Sequence, residues 1–149
     1  MPRVYVDTNV WCRVFDRPSK RVIEETDAFF KILEESYEGR MEIVGSVVLD
    51  MEVGKIERLE KRVVVERLIA VFVSERVHKI RRSEIEEIKK LTGLKFADAA
   101  HLACAIEAGC EYFITCDDEV VGKAGEMERL YGLKVYNPVD FIRVWGKGW

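Results

Sequence analysis

The chain has 149 residues, 48% of them hydrophobic and 34% charged, with three prolines and a formal net charge of −3. That length supports one domain burying roughly two thirds of its unfolded surface, and the composition excludes a disordered or low-complexity chain. The weak negative charge excludes a protein that coats nucleic acid with a broad basic surface, although clusters at Arg13/Arg17/Lys20/Arg21, Arg58/Lys61/Arg62/Arg67 and Lys79/Arg81/Arg82 leave room for phosphate contacts on one face.

No uncharged stretch approaches the ~18 residues needed to cross a bilayer, and no basic and apolar run resembling a secretory signal opens the chain. A soluble, cytoplasmic protein with no membrane partner is expected. Cys12, Cys104, Cys110 and Cys116 form no Cys-x-x-Cys pair and read as buried thiols rather than a zinc or redox site. Gln is absent and Asn occurs only twice, while Glu, Lys and Arg abound, a bias that fits a thermophile although the cysteines cut against it. One of those two asparagines is Asn9, beside Asp7, which suggests that its amide is needed there.

The first element is a short strand of Val4, Tyr5 and Val6, apolar on both faces and suited to the buried middle of a parallel sheet. It stops on Asp7, either a cap for the next helix or a group placed where ligands gather, beyond the carboxyl ends of parallel strands. A helix starting within 10–15 is interrupted by a loop at 16–19. Apolar residues then recur with helical spacing over 20–37, and Gly39 stops that helix. Residues 41–45 read as a strand, and Ser46 as the N-cap of a helix over 47–56.

From 57 to 92 the pattern is ambiguous, because 63–65 and 69–73 fit helix or strand equally. The adopted reading is a helix, a strand near 77–80, and a helix from Ser83 to Gly93. Residues 96–108 are Ala-rich and apolar on almost every face, as in a helix buried between layers, with Gly109 as its stop. A strand over 112–116 ends on Asp117 and Asp118. A helix over 125–131 and a last strand over 133–136 follow, and the tail 143–149 either frays or docks. The alternation predicts an α/β fold, a three-layer α/β/α sandwich around a mostly parallel sheet, as a single domain over 1–149.

Asp7 and Asp117 end strands, Glu52 lies within the helix after the second strand, and Asp98 sits in the first turn of the buried helix. Each alone is explained as a cap, a dipole-compensating acid or a solvated side chain, but Asp98 in Phe-Ala-Asp-Ala-Ala needs a partner. If the four converge to ~5 Å, each pair repels by roughly 3 kcal/mol at an effective dielectric of ~20, so such a cluster requires a cation. Oxygen ligands favour Mg2+ or Mn2+, and the implied chemistry is metal-assisted phosphodiester hydrolysis.

Five stretches then resemble, in order, the motifs of the PIN-domain family, and within it the VapC-like toxin ribonucleases. They are Val-Asp-Thr-Asn at 6–9, Ser46 with Glu52, Asp-Ala-Ala-His-Leu-Ala-Cys-Ala at 98–105, Ile-Thr-Cys-Asp at 114–117 and Asn-Pro-Val-Asp-Phe-Ile at 137–142. The resemblance covers essentially the whole chain. It implies a PIN-like nuclease fold, Mg2+- or Mn2+-dependent cleavage of RNA, frequently a homodimer, and in many small prokaryotic members a cognate antitoxin that blocks the toxin. It also implies that Asp7, Asp98 and Asp117 bind metal, that Glu52 binds it directly or through water, and that Asn9 and Thr115 orient those carboxylates.

Departures remain. No motif fixes the basic residues that hold substrate, and Asp50, Asp118 and Glu119 are extra acids; Asp118 reads as sharing a metal or, more simply, as an exposed cap or solvated acid. His101 lies on roughly the face of Asp98 and either contacts the site or packs as a hydrogen-bonded histidine. Trp11, Trp145 and Trp149 are base-stacking candidates, with core or subunit packing as the plainer role. Two other functions stay open at this point: a catalytically silent PIN-like module that binds RNA or protein, and an aspartate-based phosphotransfer domain using Asp7 as nucleophile.

Overall fold

In a computed structural model of the protein, residues 1–147 are described. The chain runs β1 (Arg3–Val6), α1 (Thr8–Trp11), a 3-10 turn (Arg13–Phe15), α2 (Lys20–Tyr37), β2 (Glu42–Ser46), α3 (Val47–Gly54), α4 (Leu59–Phe72), β3 (Val73–Val77), α5 (Arg82–Thr92), α6 (Phe96–Glu107), β4 (Tyr112–Ile114), α7 (Asp118–Val121), α8 (Ala124–Tyr131), β5 (Lys134–Tyr136) and α9 (Pro138–Lys147). The strands form a five-stranded sheet in the order β3-β2-β1-β4-β5, every pair parallel. This is the expected α/β fold, with the sheet wholly rather than mostly parallel.

β1 lies at the centre, and Val4, Tyr5 and Val6 are fully buried. Because side chains alternate across a strand, Val4 and Val6 enter one core with Phe29, Ile32, Leu49 and Phe141, while Tyr5 enters the other with Leu102 and Phe113. Helices therefore cover both faces. Parallel strands need helical crossovers, and here the chain builds outward from β1 to β3 before returning to place β4 on the other side of β1. That reversal leaves a crevice at the carboxyl ends of β1 and β4, where ligands bind in such sheets.

Local signals set most boundaries. Ser19 and Ser46 cap α2 and α3 by accepting from the amides of Val22 and Leu49, each at 3.1 Å. Gly93, at φ 74°, ends α5 in a conformation that side chains with a Cβ rarely adopt.

Three stretches differ from expectation. The strand placed near 77–80 is β3, four residues earlier, directly after the last turn of α4. The apolar run 69–73 spans a helix end and a strand start with no turn residue between them, so periodicity could not separate the two. As an edge strand β3 is polar at Ser74, Glu75 and Arg76, and Glu75 and Arg76 pair with Arg3 (2.8 Å) and Asp50 (3.1 Å). α7 was not foreseen because its cap is Asp117 itself, which accepts from the Glu119 amide. α9 begins at Pro138, with Asn137 Oδ1 accepting from the Val139 amide at 2.9 Å.

Residues 143–147 continue α9, which packs on α2, and the Trp145 ring meets those of Tyr112 and Phe141. Trp149 lies outside the described residues. Trp11 is fully buried and donates its indole N–H to the Val6 carbonyl at 3.0 Å, so it is a core residue rather than a stacking platform. No helix among the described residues is long and apolar enough to cross a membrane.

Candidate metal centre

Asp7 emerges from β1 at the crevice and caps α1. Only 4% of it is exposed. Its Oδ1 accepts from the Thr8 amide at 2.8 Å, and its Oδ2 from the Thr115 hydroxyl at 2.9 Å and the Asn9 amide at 3.2 Å. Asn9 also donates to Thr115 Oγ1 and accepts from the Cys116 amide, while Thr115 Oγ1 accepts from the Asp117 amide at 3.1 Å. One small network thus ties the end of β1 to the end of β4. Burial raises the Asp7 carboxyl above its ordinary pKa, despite the opposing pull of His101, Thr115 and Thr8.

Glu52 reaches the same place from α3. Its Oε1 accepts from the Thr8 hydroxyl at 2.5 Å and lies 2.6 Å from His101 Nε2. The other imidazole nitrogen, Nδ1, lies 2.6 Å from the Tyr5 hydroxyl, which is 2.6 Å from Ser46 Oγ. A buried relay therefore runs from the cap of α3 through the central strand and α6 to Glu52. Burial would raise the Glu52 carboxyl, but the His101 hydrogen bond and charge and the Thr8 hydroxyl more than offset it, so it lies below its ordinary range. Burial would lower the His101 pKa, and Glu52, Asp7 and Asp98 outweigh that. Both directions favour the charged pair of Glu52 and His101, with Asp7 Oδ1 3.7 Å from the same nitrogen.

Asp98, in the first turn of α6, lines the same cleft of about 460 Å³ as Asp7, Thr8, Asn9, Glu52 and His101. It accepts no hydrogen bond from any described residue. Burial and then the charges of Asp7 and Asp117 raise its pKa to about 6. Asp117 stands at the edge of this group: it caps α7, and its charge reaches Asp98. The ligating atoms of Asp7, Glu52 and His101 lie within 4.8 Å of one another, a set that neither Asp98 nor Asp117 joins. Two carboxylates and an imidazole, with a third carboxylate beside them held out of its ordinary range by burial and by like charge, fit a divalent cation. For His101 to ligate through Nε2, its proton must sit on Nδ1, where the Tyr5 oxygen can accept it.

The extra acids fall elsewhere. Asp118 is exposed and held by Arg21 at 2.8 and 2.9 Å, which keeps it below its ordinary range, and Asp50 pairs with Arg76. Behind Asp117, Arg21 also donates to the Cys116 carbonyl at 2.9 Å and approaches Glu25. Glu25, 1% exposed, accepts from Arg13 at 2.6 Å and from Asn137 at 2.5 Å. Both asparagines of this chain thus donate to a buried carboxylate.

Sequence reasoning did not find Tyr5 or Glu25, and it named Ser46 as a helix cap and Thr8 within a motif without foreseeing their contacts with Tyr5 and Glu52. Signals existed for Tyr5 and Glu25. A phenol in an aliphatic buried strand needs a partner, and Glu25 lies on the apolar stripe of α2 with Phe29, Ile32 and Leu33. The contact of His101 with the site was one of two options, and both hold, since it is 1% exposed and hydrogen-bonded at both nitrogens.

A family model described as PIN domain matches residues 4–126. Among solved structures, the crystal structure of PAE2754 from Pyrobaculum aerophilum superposes with a TM-score of 0.51 at 17% identity, covering 99% of this chain and 98% of that one. That likeness is one of fold. No curated protein matches the chain.

Proposed function

The chain belongs to the PIN-domain family, and from that premise we propose that it is a Mg2+- or Mn2+-dependent endoribonuclease. The observation that carries this reading is the meeting of Asp7, Glu52 and Asp98 in one cleft at the reversal of the sheet, with Asp117 beside them. Asp7, Glu52, Asp98 and Asp117 would hold the ion, with His101 as a further donor. When bound, a divalent cation supplies a water of lowered pKa and offsets charge on a phosphoryl oxygen.

The chain's own groups do the positioning. Asn9 and Thr115 fix both the orientation of Asp7 and the approach of Asp117. Thr8 and His101 fix Glu52, and Tyr5 fixes His101. Asp98 brings an unpaired carboxylate that a cation would satisfy. Nothing in the site favours Asp7 as a phosphoryl acceptor, since three hydrogen bonds and near-complete burial make it a poor nucleophile.

On the resemblance to VapC-like proteins the reading extends to a toxin that acts as a homodimer and is blocked by a cognate antitoxin. Co-expression with a small DNA-binding protein from the neighbouring reading frame, followed by loss of cleavage in the complex, tests that extension. The central test is cleavage of a labelled single-stranded RNA. Cutting is expected with Mg2+ or Mn2+ and not with EDTA, and Asp98→Asn is expected to abolish it while the fold survives. An Asp98→Asn protein with full activity would sink the site, and binding without cutting by the wild type would favour a silent RNA-binding module.

A further inference from the structure

The cations around the cleft fall into two groups. The arginines are occupied: Arg13 by Asp16 and Glu25, Arg21 by Asp118 and Glu25, and Arg58 by Glu60 and the face of Phe15. Three lysines are not. The side chains of Lys55, Lys61 and Lys95 make no ion pair, hydrogen bond or ring contact among the described residues. Lys55 follows α3 and lines the cleft. Lys61 lies in the first turn of α4, with its charge acting on Cys12, another lining residue. Lys95 precedes α6, which packs on the face of the sheet opposite to α4, and its charge acts on Asp98.

We propose that Lys55 and Lys61 on one side of the cleft and Lys95 on the other hold the phosphates of an RNA strand that crosses the acidic centre between them. The inference rests on the endoribonuclease reading and deepens it by naming the groups that hold substrate. The physical need is plain. Asp7, Glu52 and Asp98 repel a polyanion, and a protein with net charge −3 has no general attraction for one. Ammonium groups in no ion pair give up only a distant attraction to Glu52 or Asp98 when they take a phosphate, whereas Arg13, Arg21 and Arg58 would have to break existing pairs. Compact point charges on flexible stems suit backbone contacts that follow a strand without reading its sequence.

The test is binding of a fluorescein-labelled ten-nucleotide oligouridine in EDTA, followed by anisotropy from 50 to 300 mM salt, beside cleavage of the same RNA in Mg2+. Single-stranded contacts contribute roughly 0.7 to the salt slope each. Lys55→Gln/Lys61→Gln/Lys95→Gln should therefore flatten the slope by about 2 and weaken binding by roughly 100-fold at 0.1 M salt. KM should rise in parallel, with the Mg2+-induced shift in melting temperature retained. Lys31→Gln/Lys90→Gln, on exposed faces of α2 and α5, should leave the slope unchanged.

An unchanged slope in the triple variant, or an equal change per lysine in the control, overturns the proposal. A wild type that cuts RNA with no dependence on these lysines leaves the nuclease reading standing and overturns the lysine assignment. Lysine-dependent binding without cutting supports the lysine assignment and removes the nuclease. RNA neither bound nor cut removes both.

Discussion

Neutralising Asp98 should stabilise the metal-free protein. Its carboxyl is raised from 3.8 to about 6 by burial and by Asp7 and Asp117. At 1.36 kcal/mol per pH unit this corresponds to about 3 kcal/mol against the ionised form, reduced to roughly 1–2 kcal/mol by solvent screening of a partly exposed group. The folded state holds the proton more tightly than the unfolded chain, so stability falls as pH rises from 3.8 to about 6, and the full penalty stands above that. In EDTA at pH 7.5, Asp98→Asn should therefore melt roughly 2–8 °C above wild type in calorimetry. At pH 4, where wild-type Asp98 is protonated in the fold, the difference should nearly vanish. Saturating Mg2+ should raise the wild type more than the variant, because only the wild type has the full ligand set. A variant that melts no higher than wild type at pH 7.5 in EDTA, or whose advantage persists at pH 4, refutes the repulsion.

Two further outcomes follow from the buried polar groups. Tyr5→Phe removes the hydroxyl that joins Ser46 to His101 and leaves both without that partner, so urea unfolding should show a loss of about 1–3 kcal/mol; a loss under about 0.5 kcal/mol would mean the relay is not coupled to the fold. Glu25→Ala leaves Arg13 and Asn137 without their buried acceptor and should cost about 3–5 kcal/mol by the same measurement. Burial opposes ionisation of Glu25, but Asn137, Arg13 and Arg21 outweigh it and hold its pKa below 4.5. Its contribution is therefore present above pH 4.5 and lost as pH falls through the folded value, and the Glu25→Gln variant should lose less stability than wild type below pH 4.5.

Much of the architecture was legible because local chemistry announces it. Ser46, Gly93 and the run of strands alternating with amphipathic helices each act through neighbours a few residues away. The misplaced strand shows the limit: Val73–Val77 forms an edge strand because β2 and Arg3 are there to pair with it, and nothing inside 69–80 says so. α9 was missed for a related reason, since its apolar face, with Phe141 and Trp145, is defined by α2 and by the rings of Tyr112 and Tyr136.

The centre divides in the same way. The sequence by itself determined that Asp7 and Asp117 stand at strand ends, Asp98 at a helix start and Glu52 within the helix after the second strand, since those positions follow from local patterning and a compact motif order. It also determined that Asn9 would matter, through the scarcity of its residue type. Only the tertiary structure decided that Glu52 faces an imidazole rather than open solvent, that Asp117 is less buried than Asp7, and that Arg13, Arg21 and Arg58 are paired while the side chains of Lys55, Lys61 and Lys95 are not. The Glu52 contacts with Thr8 and His101 join residues 44 and 49 apart and the Arg21–Asp118 pair residues 97 apart, all set by the strand order around β1, whereas Arg13 and Arg58 pair with near neighbours in the chain. Pairing and desolvation at that range depend on where the sheet carries each side chain, and no local pattern encodes it.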